Sequence, residues 1–594
     1  MSTQSASISR RDLVKAAAAG AAAAGLAASA SQALADEKAP AGSAPADAPA
    51  AADTAASTET VPTIFKQNPA WLGEAPAMPE SFVEELEADA VVVGCGHSGA
   101  ACARRAAELG KSVIVIEQQD GDPETFMVLG QAIGHINSQW QFDQGVPQYD
   151  VGEFVHNWQL HCANRAQGKL VRDFALYGGE ALDALVAVCP EDAQPMAQAW
   201  PAPAGWQHKV GSFCSYPAAA SWGGGINKAM AAQRQAIADA GGTVVYNMKG
   251  YRLIGDATSG ITGVVGKDSD GGFHKYTAKL GVVLAAGDCS ADKEMFAALC
   301  QEVAETNTAT DQLAGQGWSG QGQKMGLWAG AAMEIGPRAA MGGNFGLPMS
   351  GLAGTPVLRV NKYGERYGDE FAGGGVMAGI SGARQPAGLI YDVWDANVAA
   401  YMDVNPLEHF NPEASEQAIS TLQDSMDQAY AAGPEGLAVK VQRGPAYVGP
   451  DDPAYMYGAD TLEELADYMG LDADAKATFL ATVERYNELC AAGSDEDFGK
   501  DATYMIALDT PPFYCYGNTP NRNDIMCAFA GLFVDGNQQV MDAVNFDRIP
   551  GLYATGNCAG GRFPLQYTAP MNGASIGFAL AGGYVLGTYL GQME

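Results

Sequence analysis

The chain has 594 residues, too many for one simple hydrophobic core, so two or three domains are expected. Its 34 Lys and Arg stand against 68 Asp and Glu, a formal net charge of −34. With no basic patch to neutralise phosphates, the composition argues against duplex nucleic acid or an anionic membrane surface as a partner. Eleven cysteines are scattered without a CxxC pair, a CxxCH haem attachment or a ferredoxin-like spacing, so no metal site is expected.

From the N-terminus, Ser9-Arg10-Arg11-Asp12-Leu13-Val14-Lys15 is a near match to a twin-arginine export signal. A run of Ala, Gly and Leu follows to about Ala30, and Ala33-Leu34-Ala35 offers an A-x-A cleavage site. The run is too short and too rich in Ala and Gly for a stable membrane anchor. Residues 1–35 are therefore expected to be a signal peptide, removed to leave an extracytoplasmic protein in the periplasm or cell envelope. Residues 36–62 are mostly Ala, Pro, Asp, Ser and Thr and cannot bury enough surface to order themselves. They read as a linker, and 36–86 as a whole leads into the first domain.

Residues 88–119, ADAVVVGCGHSGAACARRAAELGKSVIVIEQQ, carry the strongest signal. An apolar strand, Ala90–Val93, enters the turn Gly94-Cys95-Gly96-His97-Ser98-Gly99. A small-residue helix follows over Ala100–Leu109, then a second strand, Ser112–Ile116, ending in Glu117. Gly94 permits the tight turn, Gly96 lets a pyrophosphate approach the backbone, and Gly99 lets helix and strand pack closely. The helix N-terminus offers unpaired N–H groups to phosphates. Glu117 stands 23 residues after Gly94, where a carboxylate accepts the ribose hydroxyls of an adenosine. Together these predict an adenine-dinucleotide site.

Further along, Ser221-Trp222-Gly223-Gly224-Gly225 opens an Ala-rich helix ending near Gly241-Gly242, and Thr243–Asn247 is a strand. Residues 251–266 and 273–276 alternate around Gly and Asp turns and predict a small antiparallel sheet. Leu280–Asp288 is a buried strand ending in small residues, and Gly551–Asn557 repeats that pattern. Residues 336–515 are rich in Tyr, Pro and Asp, with helical segments near 415–432 and 461–492, and read as an inserted α+β domain. Asp256–Thr262 resembles a site of covalent FMN attachment through Thr or Ser, but Ile261 stands where Ala is required. The segment reads instead as a hairpin turn.

Taken as an ordered set, these residues resemble the fumarate reductase/3-ketosteroid dehydrogenase group of FAD enzymes over about 87–594. The set comprises the glycine turn with Glu117; VVLAAGDCSADKEM at 282–295, close to that group's VVLATGGF-x-x-N-x-x-M; and SGQGQKMGLWAGA at 319–331. It continues with RVNKYGERYGDE at 359–370, GLYATGNCAGG at 551–561 and NGASIGFALAGG at 572–583. The resemblance implies an α/β fold: a Rossmann-like FAD-binding domain, 87–335 and 516–594, with an inserted α+β capping domain at 336–515. It implies non-covalent FAD held by Gly94, Gly96, Ser98, Gly99, Glu117, Ala286, Gly287, Gly556, Asn557, Ser575 and Ile576. It also implies hydride exchange between flavin N5 and a carbon–carbon double bond.

The departures bear on substrate. An Arg proton donor of fumarate-type members falls on Gly374, four residues after Glu370. A clamp His falls on Cys527 and a clamp Arg on Pro570. A dianion would lose charge-assisted hydrogen bonds of roughly 1.5–3 kcal/mol each, so fumarate is not the expected substrate. Arg562-Phe563-Pro564-Leu565-Gln566-Tyr567 looks more like enone-directed relatives, in which a Tyr hydroxyl polarises the substrate carbonyl. Tyr567, Arg562 and Tyr367 are the catalytic candidates, with Arg384 and Tyr391 behind them. Packing for Tyr567 and an ion pair for Arg562 are the structural alternatives.

The expectation is an exported FAD-dependent reductase of an activated C=C bond, enone- or enoate-like, in an anaerobic respiratory setting. With no haem site and no second clear GxGxxG for NADH, an external carrier, a small cytochrome or a flavoprotein, is implied as donor. The alternatives are a ketosteroid-type dehydrogenase that desaturates a ketone, and a flavoprotein that only carries electrons.

Overall fold

The computed structural model describes residues 69–594 apart from 129, 131, 198–218, 223–224, 302–317, 343–354, 371–381, 383–384, 405–411, 440–453, 519–524, 566, 568–570 and 572. The expected export signal and the 36–62 linker lie outside the described residues, as do Gly374, Arg384 and Pro570.

Strand β1 (Glu84–Val93) enters the glycine turn, helix α1 (His97–Glu108) leaves it, and β2 (Val113–Ile116) returns parallel to β1. β1 begins well before its apolar run because Glu84–Glu87 pair with His274–Thr277 of a neighbouring strand. Helices α2 (Gly168–Val186) and α3 (Ile226–Asp239) precede β3 (Thr243–Val245) and the hairpin of β4 (Met248–Asp256) and β5 (Gly260–Asp268). The hairpin turn is closed by Asp256, whose Oδ1 accepts from the backbone N of Thr258 at 2.9 Å and of Ser259 at 2.8 Å.

The next element corrects the sequence reading. β6 (Phe273–Leu284) is one continuous strand rather than two, so the hairpin extends the main sheet and is not a separate one. Gly281, at φ +143°, sits opposite Ala90 where the register shifts, and this irregularity carries the strand through.

A second sheet follows. After β7 (Ala339–Gly342) come β8 (Leu358–Asn361), β9 (Ile390–Asp395), β10 (Leu437–Val439) and β11 (Ala454–Ala459). Helix α4 (Ala473–Ala492) and β12 (Phe513–Asn518) complete the lobe. The strands run antiparallel in the order β8-β9-β12-β11-β10. Alternation places Val393 and Cys515 in one apolar cluster with Phe479 and Tyr486, and Trp394 and Tyr514 in another with Tyr401 and Leu422. Both faces of this sheet are therefore covered.

The chain then returns through β13 (Ile525–Phe529), which pairs with β7, and through β14 (Gln539–Met541) and β15 (Arg548–Ala554) to the terminal helix α5 (Ala574–Gly591). The main sheet has the order β14-β15-β6-β1-β2-β3, with β15, β6, β1, β2 and β3 parallel. Its central strands bury Val91, Val115, Val283 and Leu552 completely, each burial worth about 1.5–3 kcal/mol. α5 is long and apolar enough to cross a membrane, yet here it is a core helix packed on α1. A Cβ at Gly583 would stand 2.0 Å from the Ser98 carbonyl oxygen, and one at Gly587 2.4 Å from that of Cys102. These glycines let the two helices touch backbone to backbone, which brings the α5 N-terminus to the same sheet edge as the α1 N-terminus.

Candidate active site

The C-terminal ends of β2, β1, β6 and β15 follow one another along one sheet edge. Parallel α/β sheets bind their ligands at this edge. An open cleft runs along it. Glu117 closes β2 at one end, Gly94, Gly96 and Ser98 form the middle, and Ala286, Gly287, Gly556, Asn557, Ser575 and Ile576 form the rest. Gly99 alone of the expected cofactor residues does not line the cleft.

The three glycines of the turn differ in what surrounds them. Gly94 adopts φ +102°, and a Cβ there would lie 2.4 Å from the Ala285 carbonyl oxygen. At Gly99 a Cβ would lie 2.0 Å from the Gly94 oxygen, so its bare backbone is what lets α1 sit on the turn. At Gly96 a Cβ would meet no protein atom within 4 Å. That position faces open cleft, as close approach of a pyrophosphate requires. The first turn of α1 carries no acidic residue, so its positive end is left for an anion. Glu117 is buried, and its carboxylate accepts from the Cys95 N at 2.7 Å and the Gln119 N at 3.0 Å. These two donors fix the carboxylate at the ribose end. The residues present thus fit an adenine dinucleotide from ribose through pyrophosphate.

The far end holds groups that the sequence reading did not single out. Asp288, directly after Gly287, is buried and lines the cleft together with Trp318 and Gln321. Its Oδ1 accepts from Ser290 N at 2.9 Å and Ser290 Oγ at 2.8 Å, and its Oδ2 from Ala528 N at 3.1 Å. The Asn557 side chain hydrogen-bonds the same carboxylate. Burial outweighs these donors and pushes the Asp288 carboxyl up to about 6. Gln323, fully buried, donates to the carbonyls of Gly287 and Asn557, each at 3.2 Å, and so ties the β6 and β15 loops together. The signal for Asp288 was in the sequence: it occupies the second glycine of the VVLATGGF motif.

Arg562 is placed behind the cleft, not in it. It is buried, its Nη2 donates to Asn557 Oδ1 at 2.7 Å, and its guanidinium lies within 5.6–5.9 Å of the Phe529, Phe563 and Phe578 ring centres. Desolvation among these rings pulls its pKa down to about 10, against the attraction of Glu334. Among the described residues, Arg562 meets the cleft wall through Asn557. Tyr567 stacks on Phe529 at 5.0 Å, and its hydroxyl accepts from Ser575 N at 3.3 Å, one residue from the cleft wall.

Tyr367 lies in the second lobe, away from the cleft lining. Its hydroxyl is buried with no hydrogen-bond partner among the described residues, and burial raises its pKa well above the usual tyrosine value. Nearby, Glu370 pairs with Arg366 at 2.8 Å and Lys500 at 3.1 Å, and Arg359 with Asp392 at 2.7 Å. These buried pairs lock the lobe together. Tyr391 donates to the Met469 carbonyl at 2.9 Å, a structural bond. Cys527 is buried on β13, where it pairs opposite Met341.

With this geometry in view, the class is defined. Over residues 89–576 the chain matches the family of FAD binding domains, and it belongs to that family. FAD is its cofactor. Among curated proteins it is similar to a vinyl phenol reductase of Lactiplantibacillus plantarum, at 27% identity over 57% of this chain and 65% of that protein. The match thus spans just under two thirds of that relative's length. It is also similar to a digoxin reductase of Eggerthella lenta, at 24% identity over 80% of this chain and 82% of that protein. Among solved structures, a 3-ketosteroid-Δ4-(5α)-dehydrogenase from Rhodococcus jostii shares the fold, with a TM-score of 0.63 and 19% identity over 88% of this chain and 99% of that one.

Proposed function

We propose that this protein reduces an activated carbon–carbon double bond, conjugated to a carbonyl-type group, in a substrate larger and less charged than fumarate. The observation that carries this reading is the FAD cleft in a chain whose curated relatives include a vinyl phenol reductase, a digoxin reductase and a urocanate reductase. FAD, bound without a covalent link, supplies the hydride chemistry. The chain's own residues bind and orient. Gly94, Gly96 and the α1 N-terminus hold the pyrophosphate, and Glu117 the ribose. The lobe built on β8–β12, the 336–515 insertion with its last strand running on to Asn518, covers the site between the two FAD-binding parts, 87–335 and 516–594. Tyr567, beside the α5 N-terminus, donates a hydrogen bond to the substrate carbonyl as negative charge develops there.

Electrons come from an external carrier, a small cytochrome or flavoprotein, because the sequence has no CxxCH haem attachment motif. The test is anaerobic: reduce the full chain chemically and follow flavin reoxidation by a panel of enones, enoates and fumarate. Enones or enoates should reoxidise it rapidly. Fumarate should do so poorly, since Gly374, Cys527 and Pro570 offer no cationic clamp. Reoxidation by fumarate alone would overturn the reading. If the panel leaves reduced flavin untouched while a saturated ketone reduces the oxidised enzyme, the dehydrogenase direction takes its place.

The reading includes export. Residues 1–35 act as a twin-arginine signal that carries the folded, FAD-loaded protein out of the cytoplasm. Changing Arg10 and Arg11 together to Lys should leave full-length precursor in the cytoplasmic fraction, detected by immunoblot. Unaltered export of that variant would point to another route.

A further inference from the structure

Two carboxylates line the cleft among the described residues, Glu117 and Asp288. They stand on either side of β1 along the sheet edge. Glu117 closes β2, on the adenosine side of the pyrophosphate turn, while Asp288 follows β6 on the other side. A dinucleotide laid along this edge with its ribose at Glu117 and its pyrophosphate at the β1 turn runs on towards Asp288 and the neighbouring Asn557.

Asp288 is braced for that position. The donor and acceptor rules fix the orientation of the brace. Arg562 can only donate, so it takes Asn557 Oδ1, and the Asn557 amide N–H then turns to Asp288, whose ionised carboxylate can only accept. Ser290 N, Ser290 Oγ and Ala528 N hold the carboxylate from β6 and β13. The charge is thus held at a buried wall of the cleft by partners from three separate segments of the chain. A charge there, away from bulk water, acts on its neighbours far more strongly than one at the surface.

We propose that Asp288 is a cofactor-contacting residue that lowers the reduction potential of the bound flavin, held in place by Asn557 and, through it, by Arg562 as a positioning residue. Reduction adds negative charge to the flavin, and a fixed anion beside it opposes that addition. A lower potential makes the reduced enzyme a stronger donor to a double bond. The inference rests on FAD binding and not on the identity of the alkene, so the potential can be measured whatever the substrate panel returns.

The test is a potentiometric titration of the FAD-loaded full chain. Asp288→Asn and Asp288→Ser both remove the charge, and the smaller Ser variant serves if the amide disturbs the Ala528 N–H contact. Either should favour the reduced flavin by at least about tenfold over wild type, a shift of about 30 mV for a two-electron couple. Glu117→Gln, at the other end, should change FAD affinity and leave the potential within twofold of wild type on that scale. If a folded Asp288 variant with full FAD also stays within twofold, Asp288 does not act on the flavin and the proposal fails. A variant with the wild-type apoprotein's melting curve that refuses FAD supports contact with the cofactor. Arg562→Met should weaken FAD binding at least about fivefold, and Arg562→Lys should recover most of it, because Lys can still donate to Asn557 Oδ1. A Lys variant as weak as Met would remove Arg562 from the brace.

Discussion

Replacing Gly96 with Val should yield a folded protein that purifies without flavin. Two features of the turn separate this result from simple misfolding. Gly96 has φ −74° and ψ −164°, an extended conformation that a β-branched residue adopts readily. A Cβ there meets no protein atom within 4 Å, so the new side chain strains nothing in the apoprotein. Its methyl groups stand instead in the open cleft where the pyrophosphate must approach the α1 N-terminus. The neighbouring glycine gives the contrast. Gly99→Ala drives a Cβ to 2.0 Å from the Gly94 oxygen, so it should destabilise the fold itself, by about 1–3 kcal/mol for overpacking. Flavin absorbance per chain and the apoprotein melting curve distinguish the two. Gly96→Val should lose the yellow complement and keep the apoprotein melt, and Gly99→Ala should lower the melt. A full flavin complement in the Gly96 variant would remove the pyrophosphate from this turn.

The contrast shows where sequence was informative and where it was not. The turn was legible because each glycine answers a local steric demand, and local demands leave local marks. The parallel strands ending in Gly287 and Gly556 were legible for the same reason. The long β6 was not. Its first half is polar and half-exposed, and it is a strand only because Glu84–Ala88 and the β5 hairpin pair with it from either side. Such pairing is a tertiary fact with no periodicity of its own. Arg562 shows the same limit at the site. A buried Arg in a motif near the cofactor reads equally well as a substrate ligand or a brace, and only the 2.7 Å bond to Asn557 and the three surrounding phenyl rings place it behind the wall. Asp288 was hidden differently. It sat inside a motif read for its small residues, and its environment is supplied by Ala528 and Asn557, 240 and 269 positions away in sequence.

Tyr567→Phe should slow flavin reoxidation by the true substrate at least about tenfold, a floor below the 100- to 1000-fold typical of losing one oxyanion donor. The substitution removes one oxygen and little else. The ring stacks on Phe529 at 5.0 Å and an interplanar angle of 18°, and meets Phe563 edge-on, also at 5.0 Å, so Phe should hold the same place. What is lost is the hydroxyl at the start of α5. In the native protein that oxygen accepts the Ser575 N–H, a donor at the positive end of an 18-residue helix. The bond aims the hydroxyl and draws electron density from it, which strengthens it as a donor to a developing enolate oxygen. Losing the bond to Ser575 costs about 0.5–1.5 kcal/mol, too little to unfold the protein or release FAD. Flavin content should therefore match wild type, and the effect should appear in the rate at saturating substrate. A rate within about twofold of wild type, with full flavin, would make Tyr567 a packing residue that caps α5. Tyr367, with its buried hydroxyl unpartnered among the described residues, would then be the next residue to change.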